Sequence, residues 1–308
     1  MTIRFATSYF GNRILRHVIN DMNGLRQNGF DIVLHTLSEL DLRFYRRTML
    51  DIVAASKDAG LSAWLDPWAL GGIFGGECFS EAALREPDWL QIASDGSRLP
   101  ACCPNNPGFR GFVDDWISAA CATDVDAIFW DEPHFFSDEV GRQLGCYCVY
   151  CEPIRPQHSL LDFLKWACRR VQQRGKQNVL CLPPQSLRSY DGNAIRSLAE
   201  SGLRNLGTGL FWFLRREALE DSISVFGNLV VPTARQFGID SHVWIQGFQV
   251  PSERESEITE TVVAAARLMP EVIAIWGFEG CAAMSSLACE RPDVAWRCFL
   301  RGMEILHT

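Results

Sequence analysis

Apolar residues recur along the chain at two spacings, in short unbroken runs and in longer stretches that repeat about every 3.6 residues. Short runs rich in β-branched and aromatic residues are typical of parallel strands buried on both faces. Eight such runs predict strands over residues 3–11, 30–36, 62–66, 126–130, 178–182, 206–213, 242–248 and 272–278. The helical repeat predicts helices over residues 12–28, 42–59, 107–121, 159–175, 194–201, 255–268 and 292–306, with one more before the seventh strand.

The regular alternation of strands and helices indicates the α/β class with a parallel sheet. Eight strand–helix units in 308 residues favour a closed (β/α)8 TIM barrel in one domain covering residues 1–308. A doubly wound open sheet is the alternative, but no G-x-G-x-x-G follows the first strand, which argues against its dinucleotide-binding form. The glycine-rich connection 69–106 after the third strand is long enough to predict a functional loop.

The fourth predicted strand leads into two adjacent acids, Asp131 and Glu132, followed by Pro133 and His134. Barrel enzymes build their active sites at the carboxyl ends of the strands, where such acids are costly unless they are solvated or used. Adjacent residues of a strand point to opposite sides. We therefore expect Glu132 to be a general acid and Asp131 to position it or share the reaction. Glu279, after the eighth strand, is the expected partner carboxylate from across the mouth.

Aromatic and polar side chains follow several other strands, a combination typical of sugar sites because aromatic rings stack on pyranose faces. The predicted substrate-binding residues are His35, Asp66, Trp68, His134, Trp212, Trp244, Gln246 and Trp276. Each of these residues, and Glu279, could instead have a purely structural role. A tryptophan can fill the barrel core, Asp66 can accept backbone hydrogen bonds at a turn, and Glu279 can cap one.

Three of the twelve cysteines, Cys146, Cys148 and Cys151, have C-x-C-x-x-C spacing. A tetrahedral zinc needs a fourth ligand, which Cys102 or Cys103 could supply, and a four-thiolate zinc is structural rather than catalytic. Reduced cysteines or an iron–sulfur cluster are the alternatives. No organic cofactor is predicted, and a disulfide scaffold is not expected in a chain of this length.

Composition excludes some partners. The chain carries 29 lysines and arginines against 37 acids, for a net charge of −8, and no basic cluster predicts nucleic-acid binding. No apolar run reaches the roughly 18 residues of a membrane span, and the first residues lack the features of a signal peptide. We therefore expect a cytoplasmic protein without nucleic-acid or membrane partners, and leave a homo-oligomer open.

Three sequence features together resemble a known family: Cys103-Pro-Asn-Asn-Pro-Gly-Phe-Arg110, the strand-end Glu132, and the C-x-C-x-x-C cluster. The combination is similar to the catalytic domain of glycoside hydrolase family 42 β-galactosidases. It is closer to uncharacterised (β/α)8 glycosidase-like proteins with a D-E-P strand end. The resemblance implies that Glu132 is the acid/base. It also implies that one structural zinc is bound by Cys103, Cys146, Cys148 and Cys151.

Two departures from the family bear on the mechanism. The family has asparagine before its acid/base, where this chain has Asp131. Its nucleophile is a glutamate that ends strand seven, whereas this chain offers Gln246 and Gln249 and no acid before Glu253. The identity of the second carboxylate therefore stays open, and so does the stereochemical outcome, retention or inversion.

The sequence thus predicts a glycoside hydrolase-like enzyme of carbohydrate metabolism that cleaves or transfers a glycosidic bond of a small or oligosaccharide substrate. One alternative is a sugar isomerase, epimerase or lyase using His35, His134 and the acids for proton transfer. Another is a carbohydrate-binding pseudo-glycosidase without catalysis, which the missing acid after strand seven favours. Metal-dependent hydrolysis is disfavoured, because six scattered histidines give no clear ligand set.

Overall fold

The computed structural model describes residues 2–138, 141–152, 156–187 and 190–307. Eight parallel strands close into a barrel, which confirms the predicted (β/α)8 fold. The barrel strands are β1 (Arg4–Tyr9), β2 (Ile32–Thr36), β3 (Ser62–Asp66), β6 (Ala127–Asp131), β7 (Gln177–Cys181), β8 (Leu203–Leu210), β9 (Asp240–Gln246) and β10 (Val272–Trp276). β4 (Leu90–Ile92) and β5 (Arg98–Cys102) form an antiparallel hairpin inside the long connection after β3. β10 pairs with β1 and closes the ring.

Helices surround the barrel on its outside. They are α1 (Leu15–Gln27), α2 (Glu39–Phe44), α3 (Arg46–Asp58), α4 (Glu81–Arg85), α5 (Pro107–Cys121), α6 (Pro156–Gln172), α7 (Pro184–Leu187), α8 (Gly192–Glu200), α9 (Trp212–Arg215), α10 (Leu219–Val225), α11 (Val231–Phe237), α12 (Ser256–Ala266) and α13 (Pro292–His307). A π-helical segment, Phe226–Val230, joins α10 to α11, and 3-10 turns cover Leu70–Gly72, Pro87–Trp89 and Phe278–Cys281. No helix among the described residues is long and apolar enough to cross a membrane.

Two predicted elements differ clearly from the structure. The single helix expected over 42–59 is two helices, because Ser38 starts α2 with a capping box and Tyr45 then leaves helical geometry before α3. The sixth barrel strand begins at Leu203 rather than 206, directly after Gly202, whose φ of +103° releases the chain from α8. That strand ends at Leu210, so Trp212 lies in α9 rather than in a strand.

The barrel interior is a packed hydrophobic core. Trp64 stacks on Phe129 with ring centroids 6.2 Å apart, and Phe129 meets Trp244 edge-on at 5.4 Å. All three side chains are buried. Because side chains fill the interior, chemistry in this fold belongs to the strand ends and the connections that follow them.

Side-chain alternation in β6 directs the two acids that follow it. Ala127 and Phe129 belong to the core inside the barrel, whereas Ile128 and Trp130 belong to the layer between barrel and helices. Asp131 continues the inward series, since side chains alternate with a period of two. The strand therefore delivers Asp131 toward the barrel mouth.

Candidate active site

Glu132 is held where β6 ends and the chain turns. Its backbone N–H donates to the Cys181 carbonyl at 3.0 Å, which fixes it to the end of β7. Its φ of +37° is unusual for a residue other than glycine. Such strain persists where the surrounding structure enforces it, and it concentrates at functional positions. The side chain is 25% exposed, so the carboxylate is open to ligands.

Arg215, on α9, holds the Glu132 carboxylate. Its Nη2 donates to Glu132 Oε1 at 3.2 Å, while its Nη1 donates to the Gly209 carbonyl at 2.6 Å. The guanidinium also lies over the Phe211 ring, 5.3 Å from the centroid. Arg215 is therefore fixed from three sides. Among the described residues, no hydrogen bond occupies the second oxygen of Glu132, which leaves it available to a ligand.

Burial raises the pKa of Glu132 above its ordinary value, although the charges of Arg215 and His134 act in the lowering direction. His134 lies beside it, with Nδ1 2.7 Å from the Glu132 carbonyl oxygen. A carboxyl whose pKa is raised retains its proton closer to neutral pH. This is the protonation state that a general acid needs.

A cavity of about 730 Å³ opens at Glu132, within the size range of small-molecule sites. Its walls come from the connection after β6, from the α6 helix and from the segment after β7. The described lining residues are Glu132, Pro133, His134, Phe135, Ser137, Gly141, Gln143, Leu160, Leu161, Pro183, Gln185, Ser186, Tyr190, Asp191, Asn193 and Ala194. The cavity wall therefore combines hydroxyl and amide side chains with apolar ones, and includes the Glu132 carboxyl of raised pKa.

Sequence reasoning missed Arg215, Tyr190 and Asp191. They lie in connections beyond the strand ends and belong to no catalytic motif. The available signal was their position, because each follows the end of a barrel strand on the side where sites form.

Asp131 belongs to a second, buried group of acids. Burial raises its pKa, and the charges of Asp66, Glu132 and Glu77 raise it further. Its Oδ2 lies so close to Gly75 that a Cβ there would overlap it, and the Gly75 N–H donates to the Asp131 carbonyl at 2.9 Å. The long connection after β3 therefore packs directly onto Asp131.

Asp66 is fully buried and only half paired. Its Oδ1 accepts from the Trp68 N–H at 3.1 Å, while Oδ2 has no hydrogen-bond partner. Burial is the main reason that its pKa is well above the ordinary value, with a further contribution from Glu77. The Trp68 indole donates to Glu77 Oε2 at 3.1 Å. The structure thus brings Asp66, Asp131 and Glu132 into one electrostatic environment.

Asp66→Asn should raise the free energy of unfolding at pH 7 by about 1 kcal/mol or more, since a half-paired carboxyl whose ionisation is opposed by burial is replaced by a neutral isostere. The pKa of Asp66 is higher in the folded protein than in the unfolded chain, where it is near 4. Its contribution to the free energy of unfolding is therefore greatest at low pH and is lost as pH rises from about 4 through the folded-state pKa. The substitution should therefore flatten the pH dependence of stability, measured by urea unfolding between pH 4 and 8.

The matched control for Asp66 is Asp126→Asn. Partial burial acts to raise the pKa of Asp126, but Lys57, at 2.5 Å, and the Ala63 N–H lower it overall. A depressed pKa contributes stability above the unfolded value, so this substitution should destabilise the protein at pH 7. If Asp66→Asn also destabilised at pH 7, Oδ2 would have a partner that stabilises it as a carboxylate.

Three of the predicted tryptophans form one aromatic layer over the barrel core. Phe10 joins them, with its ring 5.3 Å from Trp68 and 6.1 Å from Trp276, and Trp244 lies 5.2 Å from Trp276. All three tryptophans are buried, and none is among the described lining residues of the large cavity. Their contacts are those of a layer that closes the barrel interior.

Two other predicted residues, Trp212 and His35, make contacts away from that cavity. The Trp212 indole donates to Glu257 on α12 at 2.8 Å. His35 Nε2 lies 2.8 Å from the Ser56 hydroxyl on α3, and burial, followed by the charge of Arg13, lowers the pKa of His35 to about 3.

Gln246 is also buried, and both ends of its amide are bonded to the backbone. Oε1 accepts from the Phe213 N–H at 3.1 Å, and Nε2 donates to the Phe248 carbonyl at 3.0 Å. This side chain therefore joins the connections after β8 and β9.

Glu279 lies at a different cavity, of about 160 Å³, which it lines with Tyr9, Asn12 and Asp21. Burial raises the pKa of Glu279, and the charge of Asp21 raises it further. The described lining residues of this cavity and those of the Glu132 cavity do not overlap. The structure therefore does not bring the two glutamates together at one cavity.

The four predicted metal ligands do meet. The sulfur atoms of Cys103, Cys146, Cys148 and Cys151 lie within 4.8 Å of one another, and all four residues are buried. Cys103 Sγ is 3.4 Å from the sulfurs of Cys148 and Cys151. A tetrahedral ion with bonds of about 2.3 Å sets its sulfurs about 3.8 Å apart, so the cluster has the dimensions of such a site.

Hydrogen bonds among the four sulfurs affect these cysteines unequally: the pKa values of Cys148 and Cys151 are lowered, and those of Cys103 and Cys146 are raised. Hydrogen bonding from Cys103, then from Cys146, lowers the pKa of Cys151 to about 7. The Ser159 hydroxyl and the Asn105 amide also donate to Cys151 Sγ, at 3.1 and 3.4 Å. Donors to a ligating sulfur are the outer contacts expected around a metal site.

The sequence matches no family model and no curated protein. Solved structures resemble it in fold. GH5_18 from Streptomyces cattleya, in complex with GlcNAc, has a TM-score of 0.64 at 12% identity, over 100% of this chain and 81% of that one. The chain shares the fold of (β/α)8 enzymes. A fungal β-1,4-galactanase has a TM-score of 0.54 at 11% identity, over 94% and 99%.

The same fold also occurs outside the glycosidases. Tryptophan synthase from M. tuberculosis has a TM-score of 0.50 at 10% identity, over 98% of this chain and 92% of that one. At these identities the likeness shows the fold alone, so function has to be argued from the site.

Proposed function

We propose that the protein is a glycoside hydrolase-like enzyme that cleaves or transfers a glycosidic bond, with Glu132 as its general acid. One observation carries the proposal: a partly exposed carboxyl of raised pKa ends a barrel strand, is held by Arg215, and lines a cavity of about 730 Å³. Glycosidases protonate the leaving oxygen with such a carboxyl. The resemblance of the Cys103–Arg110 segment and the cysteine cluster to family 42 supports the same reaction class.

The partner carboxylate has three candidates with different support. Asp131 is adjacent in the chain and shares the electrostatic environment of Glu132, which favours a supporting role. Asp191 lines the same cavity, with its Oδ1 accepting from the Ala194 N–H at 2.8 Å. Glu279, the candidate from the strand order, lines a separate cavity. Of the three, Asp191 is the one among the described residues that lines the same cavity as Glu132, which favours it as the partner.

The cysteine cluster supports a structural zinc held by Cys103, Cys146, Cys148 and Cys151. Four thiolates leave a zinc ion no open position, so it would brace the connection after β6 rather than take part in the reaction. The substrate class we propose is carbohydrate, and a cytoplasmic location remains a prediction from the sequence.

Product analysis in ¹⁸O-labelled water tests the reaction class. Purified protein is incubated with 4-nitrophenyl β-D-galactopyranoside and β-D-glucopyranoside, and mass spectrometry follows the released sugar. Hydrolysis places one ¹⁸O at the anomeric carbon, whereas an isomerase, epimerase or lyase does not replace the aglycone with water. Sugar release without the label would contradict hydrolysis.

A carbohydrate-binding protein without turnover is the second candidate. Its support is that the described residues offer no acid at the end of β9, where Gln246 has its amide bonded to backbone groups. A pyranoside that raises the melting temperature but is never cleaved by the wild-type protein would favour this candidate.

Arg215→Gln should move the alkaline limb of the pH–rate profile to higher pH. The arginine charge lowers the pKa of Glu132, so its removal raises that pKa. A general acid is lost as pH rises through its pKa, and a higher value therefore extends activity upward. The ¹³C NMR titration of the Glu132 carboxyl, assigned with Glu132→Gln, measures the same shift without a substrate.

Two control variants make the Arg215 experiment specific. Arg215→Lys keeps the charge and should keep the limb near its wild-type position. Arg254→Gln removes an exposed arginine that pairs with Glu257 and should leave the Glu132 titration unchanged. An unshifted titration in Arg215→Gln would show that the ion pair is not populated in solution.

A further inference from the structure

The Tyr190 hydroxyl is the unusual group in the Glu132 cavity. Tyr190 lines that cavity, yet its hydroxyl oxygen is buried and has no hydrogen-bond partner. Leaving a buried hydroxyl unpaired costs about 1–3 kcal/mol, and most buried polar atoms are paired for that reason. A buried, unpaired hydroxyl on a residue that lines a cavity is explained if its partner is a molecule bound in that cavity.

The surroundings of Tyr190 define the chemistry of that molecule. Burial raises the pKa of the phenol above its ordinary value, so at neutral pH the hydroxyl carries its proton and can donate. Gln143, Gln185 and Asn193 add amide donors and acceptors along the same walls, and Phe135 and Leu160 add apolar surface. Such a mixture suits a ring that has hydroxyl groups on its edges and C–H groups on its faces.

Charge narrows the ligand class further. The charged groups among the described lining residues are the acids Glu132 and Asp191, with His134 as the one titratable base. A phosphorylated or carboxylated sugar would meet the acids Glu132 and Asp191 there, and no lysine or arginine is among the described lining residues to pair with it. The described walls therefore favour an uncharged ligand.

We propose that Tyr190 is a ligand-binding residue whose hydroxyl donates a hydrogen bond to an oxygen of an uncharged pyranoside seated beside Glu132. This inference rests on the proposed function for the location of the ligand. It does not require turnover, so binding and catalysis can be tested separately.

Tyr190→Phe separates ligand binding from stability. Because the hydroxyl has no partner within the protein, its removal should leave the melting temperature unchanged or raise it. The dissociation constants of methyl β-D-galactopyranoside and methyl β-D-glucopyranoside, measured by titration calorimetry, should rise about tenfold or more for whichever pyranoside binds, as expected for a lost hydrogen bond. Tyr45→Phe, at an exposed tyrosine outside the cavity, is the matched control.

Each outcome of this experiment decides the inference. Weaker pyranoside binding without a fall in melting temperature supports it, even if the wild type cleaves no glycoside and the hydrolase proposal fails. Unchanged dissociation constants overturn it, even if the wild type is an active hydrolase. A fall in the melting temperature beyond that of the control overturns it too, because the hydroxyl would then have an internal partner. Failure of the wild type to bind either pyranoside also overturns it.

Discussion

Glu132→Gln is expected to lower kcat/KM on a disaccharide or alkyl glycoside by about 10²–10⁴-fold, the usual contribution of a general acid–base group. Glutamine keeps the shape of the side chain, and its carbonyl oxygen can still accept from Arg215 Nη2. What it lacks is the titrating proton that the leaving oxygen takes up. The fold should therefore survive, and circular dichroism and thermal melting should match the wild type.

The matched control for Glu132 is Glu279→Gln. It replaces a carboxyl of the same type, also of raised pKa, but at a cavity that shares no described lining residue with Glu132. We expect this variant to keep most of its turnover, and Asp191→Asn to lose more than it does. Equal large losses in the Glu132 and Glu279 variants would restore the pair predicted from strand order. Full activity of Glu132→Gln would remove Glu132 from the mechanism.

Substrates with different leaving groups provide a second test of the role of Glu132. A glycoside with a good leaving group, such as 4-nitrophenolate, needs little protonation, whereas an alkyl glycoside needs it fully. The loss in Glu132→Gln should therefore be larger for a disaccharide than for the aryl glycoside. A loss independent of the leaving group would assign Glu132 a binding role instead.

The fold was predictable because the barrel buries both faces of its strands. β6 reads as the unbroken run Ala-Ile-Phe-Trp, and the helices between strands carry a clear 3.6-residue repeat. The position of Glu132 followed from the same reasoning, since acids directly after such a run stand at the site-forming end. The cysteine spacing identified four groups that the structure brings together.

Side-chain direction explains why some of the predicted site residues lie away from the Glu132 cavity. In β2, Ile32 and Leu34 face the barrel interior, so His35 faces the helices and meets Ser56. The sequence predicts that successive side chains of a strand alternate between its two faces. It does not show which of the two faces points into the barrel. By the same alternation Trp244 faces inward, into the packed core.

The cavity itself could not be predicted. Arg215 contacts Glu132, and Tyr190 and Asp191 line the same cavity, because the connections after β7 and β8 lie near the end of β6. The path of an irregular connection depends on tertiary packing, which leaves no periodic signal in the residues that form it.

Loss of the cysteine site should have the largest effect on stability. Cys148→Ser removes one of four mutually close sulfurs, and a three-thiolate set is a much weaker zinc site. We expect wild-type protein to contain one zinc per chain by elemental analysis and the variant to contain little. The free energy of unfolding should fall by roughly 2–5 kcal/mol, the range for losing a structural cross-link or metal.

The contacts around the cysteine cluster explain why loss of the metal site should also change the cavity beside Glu132. Cys103 follows β5, while Cys146 and Cys148 end the segment that begins at Glu132, so an ion would tie that segment to the β4–β5 hairpin. Gln91, buried in β4, already links the two, since its Oε1 accepts from the Phe136 N–H at 3.0 Å and its Nε2 donates to the Cys102 carbonyl at 3.1 Å. Phe135, beside that link, lines the cavity. Loosening the cluster should therefore raise KM or the dissociation constant of a pyranoside as well as lower stability.

A chelator and a matched cysteine variant isolate the contribution of the metal. Treating the wild type with a strong zinc chelator should reproduce the melting temperature of Cys148→Ser, and added zinc should reverse the change. Cys121→Ser, at a half-buried cysteine outside the cluster, makes the same chemical change and should cost far less. If the chain purified without metal and the two serine variants lost equal stability, the four sulfurs would be packed thiols.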